Sequence, residues 1–125
     1  MGSVNPLFGR SVLVVEDEPL IALELHDVLH AAGASTFAAT NIEEALELIE
    51  YAQICAAIVD VKLGGDDCSS VCAALSRRSI PFIFYTGYSN AAALSAWPNA
   101  PAVGKPAESM TMVETIVRLL PVMAL

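Results

Sequence analysis

Positive charge is scarce in this chain: six Lys and Arg stand against fourteen Asp and Glu over 125 residues, a net charge of −8. Nucleic-acid backbones and anionic lipid surfaces attract the opposite sign, so direct binding to either is not expected, and a DNA-directed role would need another chain. Cysteine is sparse as well. Cys55, Cys68 and Cys72 are odd in number, lie in apolar strand or helix contexts and form no CxxC pair, which gives no zinc or redox motif and reads as reduced thiols. The opening residues MGSVNPLFGR lack the apolar core of a signal peptide, and Pro6 spoils a myristoylation pattern after Gly2. Charge of either sign is missing between Arg78 and Lys105, but Pro81, Gly87, Pro98 and Pro101 interrupt that stretch and exclude a membrane span. No repeat, linker or low-complexity tract divides the chain. The expectation is a cytoplasmic protein that neither crosses nor coats a membrane.

What is present is a regular alternation. At 55% hydrophobic, 125 residues are enough for one well-buried domain and too few for two ordinary ones. Apolar, β-branched runs at Val12 to Val15, Ser35 to Ala39, Ala56 to Val59, Phe82 to Tyr85 and Ala100 to Val103 predict strands, with helix-like stretches between them. Pro19 suits a first helical turn, after which Ile21, Leu25, Val28, Leu29 and Ala32 form a stripe that ends at Gly33. Asn41 with Glu44 predicts the cap of a second helix, whose Ala45, Leu46 and Ile49 face the core while Glu43, Glu47 and Glu50 face solvent. A third helix is predicted over about Cys68 to Ser76 after the Gly64-Gly65 turn, an uncharged fourth over Asn90 to Ala96, and a last from Ser109 to Leu120. Five βα units predict a parallel sheet covered on both faces. The domain is expected over 11–120, with 1–10 an N-terminal extension and 121–125 a C-terminal tail.

The chemistry-bearing residues gather where these strands end. Glu16 and Asp17 close SVLVVED, Asp60 closes CAAIVD, Thr86 closes PFIFYT and Lys105 closes PAVGK. In an open parallel sheet, ligands bind outside the carboxyl ends of the strands, where the strand order reverses. Crowded carboxylates raise one another's pKa and call for protons, a cation or a divalent metal. Three acids, an amine and a hydroxyl on one edge are equipment for holding a metal and a phosphoryl group together. Taken singly, each has a plain structural use as a turn, a helix cap or a solvated lysine. Jointly, as five residues at four strand ends, they read as one site. His26 and His30, one helical turn apart, lack an evident third ligand and are given no role.

This ordered set of acidic pair, strand-end Asp, strand-end Thr before a small residue and Lys105-Pro106 resembles the response-regulator receiver domains of bacterial two-component signalling, over Ser11 to about Leu120. The resemblance implies a flavodoxin-like, doubly wound α/β fold: a five-stranded parallel sheet in the order 2-1-3-4-5 with five helices. It implies that Asp60 takes a phosphoryl group from a histidine kinase or phosphotransfer protein. Mg²⁺ would be held by Asp17, Asp60 and the backbone carbonyl of Lys62, with Glu16 acting mainly through coordinated water. Lys105 would pair with a phosphoryl oxygen, and Thr86 would swing its hydroxyl to another, helped by the backbone N–H of Gly87. The side chain of Lys62 would tune the lifetime of the acyl phosphate.

Departures from the family pattern carry their own expectations. Receivers usually place an aromatic three residues before the lysine, where this chain has Ala102; Tyr85 or Tyr88 would then substitute as the moving ring. The interval from Thr86 to Lys105 is short, and the TGY and LGG segments resemble atypical stand-alone receivers. A flavodoxin-like electron carrier is disfavoured because Glu16, Asp17 and Glu18 would repel a flavin phosphate. A dehalogenase-type phosphatase is disfavoured because Lys62 stands where it needs a second Asp as general acid. The remaining alternative is a pseudo-receiver, a protein-binding module not switched by phosphorylation. With no output domain after Leu125, the message is expected to pass to another protein, unless this chain is a fragment of a larger one, and a homodimer is among the expected partners. The expected partner face spans Asn90 to Trp97, with Leu94 and Trp97 at its centre, and the last helix.

Overall fold

The computed structural model describes residues 5–63, 66–87, 95–105 and 109–120. Its elements in chain order are β1 (Ser11–Val15), α1 (Pro19–Ala31), β2 (Ser35–Ala39), α2 (Ile42–Tyr51), β3 (Ala56–Val59), β4 (Lys62–Leu63), β5 (Asp66–Asp67), α3 (Ser69–Arg77), β6 (Phe82–Thr86), β7 (Ala102–Gly104) and α4 (Ser109–Leu119). The main sheet is parallel in the order β2-β1-β3-β6-β7, which is the expected 2-1-3-4-5 order of a flavodoxin-like doubly wound fold. β4 and β5 form a separate short antiparallel pair, Lys62 opposite Asp67 and Leu63 opposite Asp66.

Period-two alternation distributes the strand side chains between two cores. Leu13, Val15, Ala57, Val59, Phe82 and Phe84 meet Ala45 and Ile49 of α2 and Val71, Cys72 and Leu75 of α3 on one face. Val12, Val14, Ile58, Ile83, Tyr85 and Val103 meet Leu25 and Leu29 of α1 and Met112, Val113 and Ile116 of α4 on the other. Both faces are therefore covered, which is why β1, β3 and β6 read as continuous apolar runs instead of alternating ones. Leu7 is fully buried in the second core, and its N–H donates to the Ala32 carbonyl at 2.9 Å. Part of the expected extension thus packs on the domain.

Local signals explain the element ends. Asn41 Oδ1 accepts the Glu44 N–H at 2.9 Å as the cap of α2, and Glu44 Oε1 reaches back to the N–H of Thr40 at 2.8 Å. Gly33 ends α1 at φ +98°, where a Cβ would lie 2.9 Å from Asn5 Cβ and 3.1 Å from the Phe8 backbone. The last strand begins later than the sequence suggests. The N–H of Ala100 is used in a turn to the Trp97 carbonyl at 3.0 Å and Pro101 has none to give, so the ladder starts at Ala102. Four helices lie wholly among the described residues. The expected fourth, Asn90 to Ala96, falls outside them except at Ser95 and Ala96.

Candidate functional site

The strand order reverses between β1 and β3, since the chain leaves β1 for β2 on one side and returns to β3 on the other. Three backbone bonds carry the ladder one residue past the strands at this edge. The Asp60 N–H donates to the Val15 carbonyl, the Glu16 N–H to the Ala39 carbonyl and the Lys105 N–H to the Thr86 carbonyl, each at 3.0 Å. The apolar strands thus fix the backbone of Glu16, Asp60, Thr86 and Lys105 before any side-chain chemistry is considered. Asp17 follows in the turn into α1, where Glu18 caps the helix by position and Pro19 opens it.

The side chains converge. Lys105 Nζ donates to Glu16 Oε1 at 2.6 Å and to Asp60 Oδ2 at 3.2 Å. One carboxylate oxygen from each of Glu16, Asp17 and Asp60 lies within 4.8 Å of the others. Glu16, Asp60 and Thr86 are the buried polar or charged residues among those described, at 2%, 8% and 6% exposure. Such burial is tolerated because the charges are paired.

Burial pushes the Glu16 carboxyl up from 4.5 to about 7, reinforced by a hydrogen bond with Asp60 and by its charge, against the pull of Lys105. Burial draws the Lys105 ammonium down, but its bond to Glu16 and the charges of Asp60 and Glu16 more than reverse this and leave it above 10.5. A site with three acids and one ammonium has room for further positive charge. The three acids offer only hard oxygen donors, which suit a magnesium-type cation better than a thiophilic one.

Of the residues expected at the site, Glu16, Asp17, Asp60, Thr86 and Lys105 share this edge. Gly87 follows Thr86 and is exposed, with nothing within 4 Å of where a Cβ would stand, so its small size is not needed for packing there. The backbone of Lys62 lies in β4, just beyond Asp60. Tyr88 and Leu94 are outside the described residues. Trp97 is at the other end of the sheet. It packs edge-to-face on Phe82, at the start of β6, with ring centroids 5.9 Å apart, and helps to line a groove of about 630 Å³ with Ser76, Ser79, Asn99 and Leu119.

Two contacts were not legible in the sequence. The direct Lys105 to Glu16 bond spans 89 residues and depends on where two flexible side chains meet. The other is Tyr85, whose ring lies 5.4 Å from Lys105 Nζ. Tyr85 was expected as a substitute for the aromatic missing at Ala102, but its contact with Lys105 was not; strand alternation turns it to the face opposite Phe84. No described helix is long and apolar enough to cross a membrane.

Comparison with known proteins agrees with this geometry. The response regulator receiver domain family matches residues 12–116. The chain is similar to the solution structure of SdrG from Sphingomonas melonis Fr1, at 36% identity and TM-score 0.78, covering 88% of this chain and 95% of that one. It is also similar to a response regulator from Chloroflexus aurantiacus J-10-fl described as putative, at 27% identity and TM-score 0.78, covering 88% and 96%. A receiver protein from Sinorhizobium medicae WSM419 shares the fold at 20% identity and TM-score 0.81, covering 88% and 93%. Among curated proteins no match is found. The family match over most of the chain, on a sheet whose switch point carries the acidic edge, makes this protein a member of the response-regulator receiver domain family.

Proposed function

We propose that this receiver is a phosphoacceptor whose nucleophile is Asp60, loaded by the phosphohistidine of a histidine kinase or phosphotransfer protein. The observation that carries the reading is the Lys105 ammonium, 3.2 Å from Asp60 Oδ2 and beside an acidic trio at the switch point. An Asp60 oxygen attacks phosphorus, the bond from phosphorus to the donor nitrogen breaks, and the acyl phosphate remains on Asp60. Phosphoryl transfer asks little of a protein beyond in-line positioning and neutralisation of oxygen charge.

Asp17, Asp60 and the Lys62 carbonyl would hold Mg²⁺, with Glu16 acting mainly through coordinated water; when bound, the ion neutralises charge on the phosphoryl oxygens. Lys105 stays at the carboxylate edge and pairs with one phosphoryl oxygen. The Thr86 hydroxyl and the Gly87 N–H receive others. The chain is not an enzyme in the ordinary sense, although it supports its own loading and dephosphorylation. It acts in the cytoplasm, without nucleic acid or membrane, on a target protein or through a homodimer. The added charge would bias the packing of the β6 region and alter the surface that includes Trp97 and α4.

Phos-tag electrophoresis after incubation with acetyl phosphate, with Mg²⁺ or with EDTA, tests the proposal. A shifted band that requires Mg²⁺ and vanishes in Asp60→Asn is expected. No shifted band with acetyl phosphate or a panel of phosphorylated histidine kinases would favour a pseudo-receiver that binds its partners constitutively.

A further inference from the structure

We infer that Tyr85 is a positioning residue for Lys105, a fixed aromatic platform that aims the ammonium at the phosphoryl group on Asp60. This deepens the proposed phosphoacceptor reading and rests on it. A lysine head is a point charge on a long, freely rotating stem, so its direction must be imposed by its surroundings. Glu16 and Asp60 hold it from one side through the 2.6 and 3.2 Å bonds. The Tyr85 ring lies beneath it, with Nζ above the face and 5.4 Å from the centroid. That is within the range in which a ring's negative face attracts a cation.

The ring itself is well anchored. Tyr85 is 7% exposed, pairs in register with Val103 across β6 and β7, and sits in the core that contains Ile83, Met112 and Val113. Ala102, where receivers usually carry an aromatic, pairs with Phe84 and is exposed. A ring packed in this way suits a fixed support better than a moving one.

The platform matters when a phosphoryl group arrives. Lys105 must then exchange carboxylate partners for a phosphoryl oxygen, so its ionic contacts change during the reaction. The ring face is not a hydrogen-bond partner that the phosphoryl group replaces, and it keeps the ammonium at the Asp60 edge through the exchange. A ring contact of this kind is worth about a fivefold change in rate when lost.

The test uses the fact that the chain has two lysines, Lys62 and Lys105. NMR of protein labelled at the lysine ε-carbon gives one signal from each, with Lys62 as the internal reference. Ring current should shift the Lys105 ε-protons upfield in wild type and in Tyr85→Phe, and the shift should vanish in Tyr85→Leu. Phosphoryl uptake from acetyl phosphate at saturating Mg²⁺ should slow about fivefold in Tyr85→Leu and stay near wild type in Tyr85→Phe. Leucine alters the packing of this buried position, so pentafluorophenylalanine at position 85 is the second variant. It keeps the ring's shape but reverses its quadrupole, and should slow uptake where phenylalanine does not.

A Lys105 shift that survives in Tyr85→Leu, or uptake equally fast with phenylalanine and its pentafluoro form, would overturn the inference. If wild type shows the ring-current shift but takes up no phosphoryl group, the phosphoacceptor reading fails and the positioning role falls with it.

Discussion

Glu16 would link proton binding to metal binding at the proposed Mg²⁺ site. In the unfolded chain its carboxyl ionises near 4.5, whereas in the folded, metal-free protein it holds its proton up to about 7. Between these values the native state binds more protons than the unfolded state, so native stability falls as pH rises. The contribution is complete below pH 4.5 and is lost as pH passes through 7. Thermal melts in EDTA should show this decline in wild type and a flatter profile in Glu16→Gln; equal slopes would contradict the assignment. A carboxylate that holds a cation's coordinated water attracts the cation only when ionised, so Mg²⁺ affinity should rise with pH over the same window in wild type and less so in Glu16→Gln, as measured by titration calorimetry. The acidic trio, Thr86 and Lys105 were all legible as candidates because each closes an apolar run. The aim of the Lys105 side chain was not, since a long flexible stem is directed by tertiary neighbours such as Glu16 and Tyr85.

Among the elements, the turn from α1 to β2 offers the sharpest test of how the sequence sets the fold. Gly33 combines φ +98° with backbone and side-chain neighbours that leave no space for a Cβ. Gly33→Ala should therefore cost about 1–3 kcal/mol in urea unfolding, from the left-handed backbone and the crowding by Asn5 and Phe8. A loss of a few tenths would contradict that reading. Starts and stops of this kind were visible in the sequence: Pro19 and Gly33 bracket α1, and Asn41 caps α2. The start of β7 was not, because the turn of Ala100 back to Trp97 competes with the ladder for the same N–H. Nor was the burial of Leu7, which depends on a bond to Ala32 at the far end of α1.

In the molecule as a whole, alternation of strands and helices sufficed for the parallel sheet, while its 2-1-3-4-5 order entered through the family resemblance and is present in the structure. Apolar runs alone do not state which strands are neighbours, since that depends on how helices distribute over the two faces. Once the order is fixed, β1 and β3 lie side by side and Asp60 meets Glu16 and Asp17 without further design. Trp97 lies at the opposite end, so any message from Asp60 to that groove must cross the length of β6. The net charge of −8 disfavours direct binding to nucleic acid. The central claim is that the phosphoryl group resides on Asp60. Borohydride reduction after loading with acetyl phosphate and Mg²⁺ converts a phosphorylated aspartate to homoserine, which peptide mass spectrometry locates. Homoserine at position 60 alone, absent when EDTA replaces Mg²⁺, is the predicted result; homoserine at position 17, or none in loaded protein, would contradict it.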